Sequence, residues 1–216
     1  LIMSFIMVAA IIFAFLFLPS GNTKISKNIG VRPVLDKNLK FLLAIGVIVF
    51  TSFAMVQSVT AYYLQDKFLL TLNETAKSTA IALGSMAAMS IVSQLTIVQR
   101  FKGSPLRLIA WSIPLFILSA LVISLSYDFT GVLVGMSLMG LGMGLATPGY
   151  TAAASLNADP NNQGAAVGMS MVAPGIGFAL GPLLSGFLYQ ANLIFPFLFT
   201  IPLFLAAFFL IFQLEN

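Results

Sequence analysis

Long apolar runs broken by short polar stretches set the pattern of this chain. Residues 1–18, LIMSFIMVAAIIFAFLFL, form one run, closed by Pro19-Ser20-Gly21, and further runs cover about 39–64, 76–98, 108–126, 130–155, 164–190 and 193–214. Each is near or above the roughly 20 residues that an α-helix needs to cross a hydrocarbon core of about 30 Å. The pattern predicts an all-α membrane protein with seven transmembrane helices, in which backbone polar groups are satisfied inside each helix.

The spans differ in their polar content. The second carries Thr51, Ser52, Gln57, Ser58, Thr60, Tyr62 and Tyr63, although an unpaired amide in hydrocarbon costs several kcal/mol. Phe53, Gln57 and Thr60 share a face at i, i+4 and i+7, which predicts a substrate-cavity wall or an interhelical hydrogen bond. Gln94 in the third span either faces the same cavity or bonds a neighbouring helix. Met136, Met139 and Met143 form a stripe in the fifth, where flexible thioethers suit either a cavity accepting several shapes or core filling. The spans beginning near Leu108 and Leu193 are apolar throughout and read as peripheral, with Trp111 as an interfacial anchor.

Two spans are glycine-rich. Gly177 and Gly181, with Pro182 directly after, and Gly140 and Gly144, with Pro148 one turn on, have the GxxxG spacing that strips side chains from one face and lets another backbone approach. Both prolines predict bends. Gly164, Gly168 and Gly186 extend the pattern in the longer of the two runs.

Charge changes the picture by orienting it. Lys24, Lys27, Arg32, Lys37 and Lys40 lie in or beside the 19–38 loop, and Arg100, Lys102 and Arg107 in or beside the third polar stretch. These are eight of the ten Lys and Arg, against Lys67 and Lys77 on the other side, so the 19–38 loop and the C-terminus are predicted to be cytoplasmic. With 59% hydrophobic and 7% charged residues, against about 25% charged in soluble domains, the net charge of +4 reads as topology and not as a nucleic-acid footprint. There is no Cys and no His, so no disulfide, no thiolate nucleophile and no HExxH, and no metal site or cofactor is predicted. Serines in the spans have no Lys or His partner at depth, so the chain does not read as an intramembrane enzyme. No ionisable residue sits mid-span, where such residues usually mark proton relays.

The series Gly168, eight residues, Gly177, three residues, Gly181-Pro182, two residues, Ser185-Gly186 resembles the antiporter motif of the major facilitator superfamily, with Ser185 in place of the first of two closing glycines. The stretch GLGMGLATPGYTAAASLNADPNNQGAAVG from Gly140 to Gly168 is similar to that family's helix ten, its loop and the opening of helix eleven. The resemblance implies the C-terminal half of such a transporter, closest to the drug:proton antiporters. Residues 1–18 would be helix six, 19–38 the cytoplasmic central loop, and 39–214 a six-helix bundle of two inverted three-helix repeats. It implies proton-coupled efflux of lipophilic or drug-like small molecules by alternating access, in a bacterial cytoplasmic membrane. The partners are a substrate, protons, the lipid bilayer and an N-terminal six-helix bundle holding the coupling residue. Gly140, Gly144, Pro148, Gly168, Gly177, Gly181, Pro182 and Gly186 then serve as a packing and rocking motif. A seven-helix receptor or sensor has the same span count, though the last span lacks a Lys for a retinal Schiff base.

Overall fold

The computed structural model describes residues 37–156 and 168–215. The span expected at 1–18, nearly all of the 19–38 loop, Gly164 and the rest of the connection at 157–167 lie outside them. The helices are α1 Lys37–Phe68, α2 Leu72–Thr96, α3 Pro105–Leu125, α4 Phe129–Leu156, α5 Val172–Ala191 and α6 Phe195–Glu215. The sequence predicts seven spans; among the described residues six helices are long and apolar enough to cross a membrane.

Local chemistry sets the helix ends. After α1, Leu69 takes a left-handed φ of 52° and Leu70 N donates to Gln65 O at 3.1 Å, closing the helix with a Schellman turn. Thr71 then caps α2: its backbone N donates to Glu74 Oε2 at 2.9 Å while its hydroxyl accepts from Glu74 N at 3.4 Å, the capping box that the sequence spacing predicts. Pro105 opens α3, where its missing N–H costs nothing. Asp128 Oδ1 accepts from Gly131 N at 2.9 Å and caps α4.

Short connections make neighbouring helices antiparallel, so three crossings leave α4 running opposite to α1. The packing follows that inversion. Helix α1 lies along α5 and α6, and α4 lies along α2 and α3, with α3 also against α6. Exchanging α1–α3 for α4–α6 maps these contacts onto themselves, as two inverted three-helix units require.

Lipid-soluble helices gain little from hydrophobicity when they associate, so close packing and interhelical hydrogen bonds must hold the bundle. Ser119 Oγ on α3 donates to Gly135 O on α4 at 2.7 Å. Tyr63 on α1 is fully buried, donates to Ile123 O on α3 at 2.6 Å and packs on the Phe197 ring of α6 at 4.8 Å. Phe116 and Phe204 stack between α3 and α6, centroids 4.7 Å apart.

Burial is uneven. In the most apolar windows of α1 and α4, 61% and 56% is buried, against 17% and 22% for α2 and α5. Helices α2 and α5, the middle members of the two units, therefore show most of their surface. Helices α3 and α6 turn outward large apolar side chains, among them Trp111, Leu118, Leu125, Phe199 and Phe209, as the peripheral reading of their sequences expects.

Candidate functional site

The contact that organises the site is between α1 and α5. A Cβ on Gly177 would lie 2.7 Å from the Phe50 carbonyl carbon and from Thr51 N, and one on Gly181 2.5 Å from Ala54 Cβ and 2.9 Å from Met55 N. Glycine at both positions therefore lets the backbones meet. The second pair makes the matching contact: a Cβ on Gly140 would run into the Met86 carbonyl, and one on Gly144 into Ser93 Oγ and Ser90 O, all on α2. Both pairs join the first helix of one unit to the middle helix of the other. Gly168 and Gly186 meet nothing within 4 Å, so neither makes a close approach among the described residues. Pro148 and Pro182 lie inside α4 and α5.

Beyond Gly181 a cavity of about 460 Å³ lies along the α1–α5 contact, lined by Ser58, Val59, Tyr62, Pro182, Ser185, Gly186, Tyr189 and Gln190. Its floor carries the Ser58 and Ser185 hydroxyls, 3.3 Å apart, with Ser185 Oγ also donating to Pro182 O at 3.1 Å and Ser58 Oγ to Ala54 O. Its wall carries the Tyr62 and Tyr189 rings, centroids 6.4 Å apart. At its rim Tyr189 OH donates to Asp66 Oδ2 at 2.7 Å, tying the end of α5 to the end of α1. Ser58, Tyr62 and Asp66 stand at i, i+4 and i+8 on α1; Pro182, Ser185, Gly186, Tyr189 and Gln190 at i, i+3, i+4, i+7 and i+8 on α5. The result is a concave wall with two aromatic faces, a few hydroxyl and amide groups and one carboxylate at the edge, chemistry suited to a small, partly apolar molecule.

Of the residues expected to line a cavity, Phe53, Thr60, Met136, Met139 and Met143 turn into the bundle, whereas Gln57 and Gln94 are exposed on its surface. Gln57 is exposed, one position before Ser58. Phe53 is buried in the α1–α5 contact, edge-on to Phe178 with centroids 6.1 Å apart. Thr60 is buried, donates to Val56 O at 2.7 Å and touches Met136 Sδ at 4.0 Å, so that face of α1 turns to α4 and not to a cavity. Met136 and Met139 are fully buried and Met143 packs on the same core, which makes the methionine stripe filler of the interior. Gln94 is exposed and donates to Ser90 Oγ at 3.4 Å, away from the α1–α5 cavity. The sequence alone does not mark Tyr62, Ser185, Tyr189 and Gln190 as cavity residues, although Ser185 and Tyr189 stand four apart on α5. Among the described residues no cluster of His, Cys, Asp or Glu could hold a metal ion.

Comparison with known proteins adds the family. The chain superposes on the human organic anion transporter MFSD10 (TETRAN) with a TM-score of 0.70 and 18% identity, over 80% of this chain and 40% of that one. It superposes on an auto-inhibited POT family peptide transporter with a TM-score of 0.68 and 15% identity, over 83% and 37%. The chain thus spans about two fifths of the length of these structures, and at such identities the likeness is one of fold. No curated protein matches the sequence significantly. The sequence profile of the Major Facilitator Superfamily matches residues 96–216, more than half of the chain. That family consists of transporters and not enzymes or seven-helix receptors, and the match rests on α3 to α6 together with the end of α2. With the bundle, its inverted contacts and this profile in agreement, the chain belongs to the Major Facilitator Superfamily.

Proposed function

We propose that the described bundle is the C-terminal half, helices seven to twelve, of a secondary active transporter that exports lipophilic or drug-like small molecules in exchange for protons. The observation that carries the reading is the cavity between α1 and α5, open to the bundle's surface and walled by Tyr62 and Tyr189. A site on one bundle's surface becomes enclosed when a second bundle closes over it, and rocking of the two about such a site is alternating access. The partner is an N-terminal six-helix bundle. It also holds the proton-coupling carboxylate, because within the described helices the acids lie at or near the ends, at Asp66, Glu74 and Glu215. The drug:proton antiporter assignment rests on the glycine series through Gly177, Gly181 and Pro182, and the two tyrosine rings of the cavity suit a partly apolar, drug-like molecule. The charge bias supports an orientation with Arg100, Lys102 and Arg107 on the cytoplasmic side and Asp66 on the other, and the membrane in this reading is a bacterial cytoplasmic membrane.

The test is efflux of a lipophilic fluorescent dye from cells expressing the full protein. Efflux should stop when a protonophore removes the gradient, and Tyr62→Ala or Tyr189→Ala should raise KM by up to about tenfold, the worth of one lost aromatic contact. Dye efflux with an unchanged KM in both variants would remove the α1–α5 cavity from the transport path.

A further inference from the structure

A second concavity lies on the opposite kind of surface. Between α3 and α6 a groove of about 370 Å³ is lined by Ala110, Trp111, Ile113, Pro114, Ile117, Leu205 and Phe208, without a charged or hydrogen-bonding side chain apart from the Trp111 indole. It exists because Ala110 and Pro114, at i and i+4, leave a gap beside the larger Trp111 and Ile117. The surface around it is the apolar outer face of α3 and α6, where Leu118, Leu121 and Phe209 are exposed.

One end of this groove is basic. Trp111 is half exposed, and the Phe101 ring stands edge-on to it with centroids 5.2 Å apart, which folds the 98–104 turn back against the groove. Arg100 and Lys102 flank Phe101 in sequence, and Arg107 precedes Trp111 by one helical turn. All three are exposed, and residues 98–107 contain no Asp or Glu to neutralise them. An apolar slot in the lipid-facing surface that ends at three cations and an interfacial tryptophan matches a molecule with a hydrocarbon chain and an anionic head.

We propose that this groove is a binding site for one anionic phospholipid, its acyl chain seated over Ala110 and Pro114 and its phosphate held by Arg100, Lys102 and Arg107. Charge complementarity selects the anionic lipid over a zwitterionic one, since each basic residue near the headgroup layer favours it about fivefold. The site is independent of the transport cavity, which lies between other helices.

Trp111 is the single tryptophan of the chain and reports on its own groove. The full protein is reconstituted in phosphatidylcholine vesicles with increasing fractions of phosphatidylglycerol or phosphatidylcholine carrying brominated acyl chains, and Trp111 emission is taken as the difference from Trp111→Phe. Half-maximal quenching should need about fivefold less brominated phosphatidylglycerol than brominated phosphatidylcholine, or less still. Neutralising Arg100, Lys102 and Arg107 to Gln should abolish the preference, and Ala110→Phe, which fills the groove and keeps every charge, should abolish it too. Equal quenching by the two lipids in the unaltered protein would overturn the proposal. So would a preference that survives Ala110→Phe, because diffuse attraction to the basic loop would then explain it.

Discussion

Gly181 of α5 lies so close to Ala54 of α1 that a methyl group on the glycine would come within 2.5 Å of the alanine Cβ and 2.9 Å of the next backbone nitrogen. Backbone cannot rotate out of the way as a long side chain can, so this contact leaves no room for bulk. Gly181→Val should insert into the membrane normally yet abolish transport, with stability lowered by about 1–3 kcal/mol, the usual cost of overpacking. Membrane-fraction yield and dye efflux read the two outcomes separately. Full transport by Gly181→Val would count against close packing at this position.

The same reasoning sorts the other glycines. Gly140→Ala drives a methyl group into the Met86 carbonyl and should lower the melting temperature of the purified protein. Gly175 has nothing within 4 Å, so Gly175→Ala should be neutral or stabilise by up to about 1 kcal/mol through helix propensity. A larger loss for Gly175→Ala than for Gly140→Ala would contradict the helix placement.

Adjacent tyrosines on α1 should behave in opposite ways. Tyr63 is fully buried, bonded to Ile123 O and to Lys67 Nζ, each at 2.6 Å, while Tyr62 is 63% exposed on the cavity wall. Tyr63→Ala should cost about 3–5 kcal/mol, as for a large core aromatic, and Tyr62→Ala less than about 1 kcal/mol. Thermal unfolding in detergent measures the difference, and KM for the exported dye should respond to Tyr62 alone at permissive temperature.

Leu69 holds a φ of 52°, a region that L-residues enter at a cost of about 1–2 kcal/mol and glycine enters freely. Its side chain is exposed, so little packing is lost on removing it. Leu69→Gly should therefore raise the melting temperature, a reading that differential scanning fluorimetry provides.

Much of this arrangement was legible in the residues because a bilayer makes demands that sequence cannot hide. Runs of about 20 apolar residues marked every described helix, five of them to within about four residues at each end, while α5 opens at Val172, eight residues after its run begins. Thr71 and Glu74 announced their capping box, and the four-residue spacing of Gly177 with Gly181 announced a close contact. The direction of each face was not legible. Periodicity tells which side chains stand together on a helix but not which neighbour they meet. Periodicity therefore leaves the Met136–Met139 stripe and Thr60 open between cavity lining and interior, and the structure places them in the interior. Tyr62 and Tyr63 have nearly the same composition around them, and only the position of α5 separates a wall residue from a core residue. Tyr189 and Asp66 are 123 residues apart, beyond any local pattern.

The central claim is that the glycine-faced contact brings α1 and α5 together and so builds the cavity floor at Ser58 and Ser185. The chain contains no cysteine, which makes cross-linking direct. Ser58→Cys with Ser185→Cys, placed where the hydroxyl oxygens stand 3.3 Å apart, should form a disulfide under mild oxidation and keep the two parts of the chain joined after proteolytic cutting within 157–167. Either single variant should fall apart. Failure of the double variant to cross-link, in protein that still exports dye, would contradict the α1–α5 contact and the site built on it.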